Sequence, residues 1–254
     1  MEYMDFVTAL FRWFHIVAGL FFVGLNWWFN LVFTPFAFTT DGETRKNNLL
    51  QLIPRALYWF KWSAAYTLVF GSLLLILIFY MGGLTIESQQ EWTAGSYTMA
   101  ILAILIYRVY VLLANSSLGK DIRIFGAIGL VITAIMIYSM IQFGNFSYRG
   151  YVIHLGVMFG VIMIGNVYET ILPAQKKILN AIKSGTAPDP LLLTRVAQRG
   201  QHNMYLSVPL LWTMIEAHTS VPAASSWLYL IAVIIIGWLI VFFVQKKAGK
   251  IQSW

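Results

Sequence analysis

The sequence predicts an all-α integral membrane protein: a bundle of about seven transmembrane helices, N-terminus outside and C-terminus cytoplasmic. Three observations carry this. Of 254 residues, 59% are hydrophobic and only 11% charged, with a mean hydropathy of +0.72. Apolar runs of roughly 20 residues, the length of one bilayer crossing, recur along the whole chain. Lysine and arginine gather in alternate connections.

The first span is expected at about 6–32, and its opening, MEYMDF, has no basic region of the kind a signal peptide carries. A polar segment, TTDGETRKNN, follows. The second span runs about 57–82, the third 97–114, the fourth 124–143 and the fifth 151–172. LPAQKKILNAIKSG reads as a short amphipathic helix on the membrane surface, with Ile178, Leu179 and Ile182 down and its lysines up. The sixth span is expected at 191–217 and the seventh at 227–244. No internal repeat or long linker divides residues 1–254, which read as a single transmembrane domain.

Orientation comes from charge. Arg45, Lys46, Arg55 and Lys61 lie in or beside the first connection, Lys120 and Arg123 in the third, and Lys176, Lys177, Lys183, Arg195 and Arg199 in or beside the fifth. Lys246, Lys247 and Lys250 occupy the tail. Even connections hold Arg149 against Glu87, Glu91 and Glu216. The positive-inside rule places odd connections in the cytoplasm, as expected of a multi-pass protein of a bacterial inner membrane. A net charge of +7 distributed this way is a topology signal and gives no reason to expect nucleic acid. The absence of cysteine excludes disulfides, iron–sulfur clusters, thiolate metal sites and a CxxCH haem attachment within this chain.

The first span, RWFHIVAGLFFVGLNWWFNLVFTP, carries Arg12, His15, Gly19, Asn26 and Asn30 at steps of three, four and seven residues. That spacing lines them along one helix face. Polar groups at membrane depth are costly and point into a bundle or a wet cavity. Topology sets His15, His154 and His218 in the outer leaflet, with His202 about 24 Å further in than His218 at helical rise. Two histidines at one depth on different helices can hold a haem b non-covalently. His15 has Gly19 one turn away and His154 has Gly150, small residues that admit a flat ring; Arg12 is placed to pair with a propionate. The expected iron ligands are His15 and His154, with His218 as the substitute for either. The other reading is that these histidines simply hydrogen-bond between helices.

Arg108 in the third span is expected to pair with Glu169 in the fifth. Arg199, His202, Asn203, Ser207 and Pro209 form a second polar patch on the sixth, lining a cavity or bonding between helices. Trp27, Trp28, Trp59 and Trp62 read as lipid and interface packing.

Four stretches resemble the membrane-bound urate oxidases, or urate hydroxylases. RWFHIVAGLFFVGLNWWFNLVFTPF is similar to that family's first span and IPRALYWFKWSAAYTLVFG to its second. ETILPAQKKIL and QHNMYLSVPLLWTMIEAH are similar to the end of its fifth and to its sixth. The resemblance implies oxidation of urate to 5-hydroxyisourate with electrons passed to a cytochrome c, which in that family is a C-terminal domain. The present sequence resembles the membrane half alone, so a separate cytochrome c or partner subunit is expected as acceptor. Residues matching the family's motifs are Arg12, His15, Asn26, Asn30, Arg55, Lys61, Gln175, Asn203 and His218.

A urate site needs hydrogen-bonding partners, a cation and an aromatic wall. Asn26, Asn30 and Arg55 are the candidate substrate residues. The two asparagines lie about 16 and 22 Å from His15 along the helix, so a substrate cavity extends inward from the haem. The alternatives are a haem b electron-carrying subunit of a larger complex and a transporter. The last is disfavoured by the lack of an inverted repeat and the few intramembrane acids.

Overall fold

The chain folds as a string of long helices, here in a computed structural model describing residues 2–87, 90–217 and 226–251. The helices are α1 (Glu2–Trp28), α2 (Thr34–Thr39), α3 (Gly42–Gln51), α4 (Ile53–Leu74), α5 (Ala94–Asn115), α6 (Ile122–Gln142), α7 (Tyr148–Gly165), α8 (Leu172–Lys183), α9 (Pro190–Glu216) and α10 (Leu228–Ala248). Among the described residues there is no strand, only an isolated bridge between Ile86 and Phe146.

Several of these helices are fused through π-helical turns. Phe29–Phe33 joins α1 to α2, Leu75–Tyr80 extends α4, and Asn166–Ile171 joins α7 to α8. Two have a cause in the sequence. A proline inside a helix lacks the N–H for its i−4 carbonyl and its ring collides with that carbonyl. Pro35 and Pro173 face Leu31 and Glu169, both within π turns, and the wider turn accommodates each ring. The fusion corrects the expectation for LPAQKKILNAIKSG. It is no separate helix: it continues the fifth span, packs against α3, and buries Ala174 and Ile178.

Among the described residues, six stretches are long and apolar enough to cross a membrane: Tyr3–Thr39, Ile53–Tyr80, Ala94–Asn115, Ile122–Gln142, Tyr148–Lys183 and Leu228–Ala248. The expected sixth span, α9, has the length, 27 residues, but its first half is rich in Arg, Gln, His and Asn. Connections end in local caps that satisfy the first N–H groups of the next helix. Asp41 Oδ1 accepts from Glu43 and Thr44 N–H. Thr93 and Ser96 cap α5 reciprocally, and Asp121 accepts from Arg123 N–H.

The chain forms two compact units. The first comprises Met1–Leu74, Met163–Ser207 and Trp238–Trp254; the second Leu75–Ile162 and Val208–Gly237. In the first, α1 packs along α4, with Ala18, Phe22 and Val23 buried and the Phe22 and Phe60 rings 5.3 Å apart. Trp13, Phe14, Ile16, Leu20 and Phe21 stay on the exposed side, as lipid contact requires. In the second, α7 is apolar all round and enclosed, with Val152, Leu155 and Met158 buried. Its glycines permit close approach. A Cβ at Gly156 would lie 2.6 Å from Thr213 Oγ1 and 2.5 Å from Met214 Cε.

Candidate functional site

In the first unit, one face of α1 and the neighbouring π turn carry Asn26, Trp27 and Asn30; α9 brings Gly200, Asn203 and Ser207; the start of the second π turn brings Asn166. Asn26 is 1% exposed, and Asn166, Asn203 and Ser207 are fully buried. Asn166 Nδ2 donates to Asn203 Oδ1 at 2.8 Å, and Asn203 Nδ2 donates to Met163 O at 3.0 Å. Trp27 Nε1 donates to Ser207 Oγ at 2.8 Å, and Ser207 donates in turn to Met204 O at 2.7 Å. Asn30 Nδ2 donates to Asn26 O at 2.7 Å. The buried Asn26 Nδ2 has no hydrogen-bond partner. Arg199 and His202, also on α9, are buried at 2% and 3% exposure.

This cluster unites the expected Asn26 and Asn30 with the second polar patch. Arg55 is exposed and its guanidinium donates to Gln51 O; among the described residues no hydrogen bond joins it to the buried amides. Sequence reasoning missed Asn166, although a lone asparagine within VIMIGNVYET is an expensive residue that asks for a partner. It also misassigned Trp27, whose indole N–H is spent inside the protein. Trp59 and Trp62 are exposed as lipid-facing residues would be.

The histidines differ in what their ring nitrogens do. His15 Nδ1 donates to Thr67 O at 3.0 Å. That bond fixes the tautomer and leaves Nε2 with its lone pair, as a metal-binding imidazole needs. Gly71 admits the ring: a Cβ there would sit 2.7 Å from His15 Cε1. The glycine that matters for His15 is thus on α4, whereas Gly19 lies against Thr67. Arg12 is exposed on α1.

His154, in the second unit, is fully buried. Its Nδ1 donates to Gly150 O at 2.7 Å, and its Nε2 accepts from Tyr80 Oη at 3.0 Å. Its ring stacks on Tyr80, centroids 5.6 Å apart, and lies 4.6 Å from Phe146. The space at Gly150 is filled by backbone, since a Cβ would fall 2.0 Å from Thr85 O. His15 therefore fits the role of a haem ligand as it stands, whereas His154 fits it only if Tyr80 releases Nε2. His218, the expected substitute, lies outside the described residues. Arg108 and Glu169 are both exposed on their helices, and the Arg108 guanidinium sits 5.7 Å from the Tyr107 ring centroid.

These features define a multi-pass helical membrane protein with a cluster of buried amides in one of its units. Residues 47–254 match the family model of the urate oxidase N-terminal domain, and the chain belongs to that family. The match includes Arg55, His154, Asn166 and the α9 cluster, and begins after α1. No curated protein and no solved structure matches the chain.

Proposed function

We propose that this protein is a membrane oxidoreductase of the urate hydroxylase kind, oxidising urate or a related small molecule and passing electrons to a cytochrome c or another electron-transfer subunit. The observation that carries the reading is the family match over residues 47–254. The buried amides of the first unit support it, because a flat polar ring needs fixed donors and acceptors inside an apolar wall. Converting urate to 5-hydroxyisourate adds the elements of water and releases two electrons and two protons, so the acceptor takes one electron at a time, twice. The reading puts Asn26 and Asn30 on the ring's edge, with the buried Arg199 guanidinium supplying positive charge for the urate anion.

Haem b is the redox group the reading calls for, and when bound it would supply one-electron exchange between substrate and acceptor. His15 would hold its iron through Nε2, with Thr67 O orienting the imidazole through Nδ1. The protein is read as lying in a bacterial inner membrane with its N-terminus outside.

The test is an anaerobic optical spectrum of the purified protein before and after urate, with oxidised cytochrome c added last. A Soret band whose reduced form grows in with urate, followed by cytochrome reduction and loss of urate absorbance, is the expected result. A colourless protein that leaves urate unchanged in the presence of cytochrome c would sink the proposal.

A further inference from the structure

We infer that Asn26 and Asn30 together read a cis-amide edge, the adjacent C=O and N–H of a planar lactam or cyclic urea ring, and so set the substrate class of this site. The inference rests on the reading of the buried amides as a substrate site. The bond from Asn30 Nδ2 to Asn26 O decides which way the Asn30 amide points. Its Oδ1 is left as an acceptor and has no hydrogen-bond partner among the described residues. The opposite polarity stands one turn earlier: Asn26 Nδ2 is a donor, buried and without a partner. Leaving such a donor unpaired opposes folding.

Asn26 lies in the last turn of α1 and Asn30 in the π turn that follows, and the bond from Asn30 Nδ2 to Asn26 O ties the two positions together. An unpartnered donor and an unpartnered acceptor thus stand about one turn apart. A ring that offers C=O to Asn26 and N–H to Asn30 satisfies both; a ring whose nitrogens are alkylated satisfies only the first. Gly200 brings the α9 backbone against Asn30, since a Cβ there would be 3.5 Å from Oδ1 and 3.7 Å from Nδ2.

Isothermal titration of the full-length protein in detergent with urate, uracil and caffeine tests this. Urate and uracil carry the edge; caffeine has the carbonyls but every N–H replaced by methyl. Caffeine is expected to bind about tenfold more weakly or worse, the worth of one hydrogen bond. Asn26→Leu is expected to weaken urate and uracil by about tenfold, with a thermal midpoint unchanged or higher, because the lost donor had no partner in the free protein. Equal binding of caffeine and urate overturns the inference, as does failure of all three to bind. Asn26→Leu that unfolds the protein, or leaves affinity intact, also overturns it by making Asn26 a packing residue. Uracil binding without urate binding keeps the edge reader and removes urate as substrate; urate binding that ignores both Asn26 and N-methylation does the reverse.

Discussion

At the scale of single residues, the two histidines that look equivalent in the sequence have unlike surroundings, and this yields separable predictions. His15 has a fixed tautomer with a spare lone pair, and its seat depends on the absent side chain at Gly71. His15→Ala should remove or greatly weaken the haem spectrum. Gly71→Ala should do part of the same, because a Cβ 2.7 Å from Cε1 must displace the ring or part α1 from α4. Overpacking of this kind typically costs about 1–3 kcal/mol, so the thermal midpoint and the Soret intensity should fall together. A Gly71→Ala protein with wild-type spectrum and stability would show that the ring is not held there. At His154 the informative change is Tyr80→Phe, which deletes the hydroxyl bonded to Nε2 and keeps the stacked ring. The imidazole nitrogen resonances of His154 should shift in this variant, reporting loss of the hydroxyl from Nε2. Unchanged resonances would mean that Tyr80 does not hold Nε2.

At the scale of elements, the third and fourth apolar runs were legible to within a few residues, whereas the first and fifth continue through π turns to Thr39 and Lys183. The expected span 124–143 is observed as Ile122–Gln142, and 97–114 as Ala94–Asn115. Hydropathy is a property of the run itself, so no partner is needed to read it. The π turns were not read, although Pro35 and Pro173 signal that a continuous helix must widen just before them. The Leu75–Tyr80 turn has no such signal, and no physical account of it follows from its sequence. The candidate site was half legible: Asn26, Asn30 and Asn203 stand out as polar groups in apolar helices. That Trp27 meets Ser207 across 180 positions is a tertiary fact that no local pattern encodes. Outside the spans, α3 gives an element-scale prediction in pH. Hydrogen bonds from Thr44 N–H, then the Thr44 side chain, hold the Asp41 carboxyl below its ordinary value, with Glu43 N–H adding to them. A depressed folded value means that the cap is fully present above the unfolded carboxylate value, near 4, and is lost as pH falls through the folded one. Amide exchange at Glu43 and Thr44, corrected for intrinsic rates, should speed up on acidification below about pH 4. In Asp41→Asn, which can still cap, that pH dependence should vanish; its persistence would assign the acid sensitivity to another group.

At the scale of the whole molecule, the decisive question is whether α9 crosses the membrane. Its hydropathy argues against a span, but its polarity is turned inward: Arg199, His202, Asn203 and Ser207 are all buried. A helix of 27 residues is about 40 Å long, more than the roughly 30 Å hydrocarbon core. Lipid would meet Leu191, Leu193, Leu211 and Ile215, which are exposed. Of its two arginines Arg199 is buried, while Arg195 is exposed near the start of the helix, where a long side chain can reach the membrane interface, and the expected count is seven crossings with termini on opposite sides. Because the chain has no cysteine, single cysteines report location without background. In intact spheroplasts, a membrane-impermeant thiol reagent should label Glu91→Cys, in the acidic connection between α4 and α5, and spare Ser184→Cys and Lys250→Cys until the membrane is opened. Labelling of Lys250→Cys from outside, with Ser184→Cys still protected, would mean that α10 crosses and α9 does not. Protection of Glu91→Cys with labelling of the other two would invert the orientation drawn from the lysines and arginines.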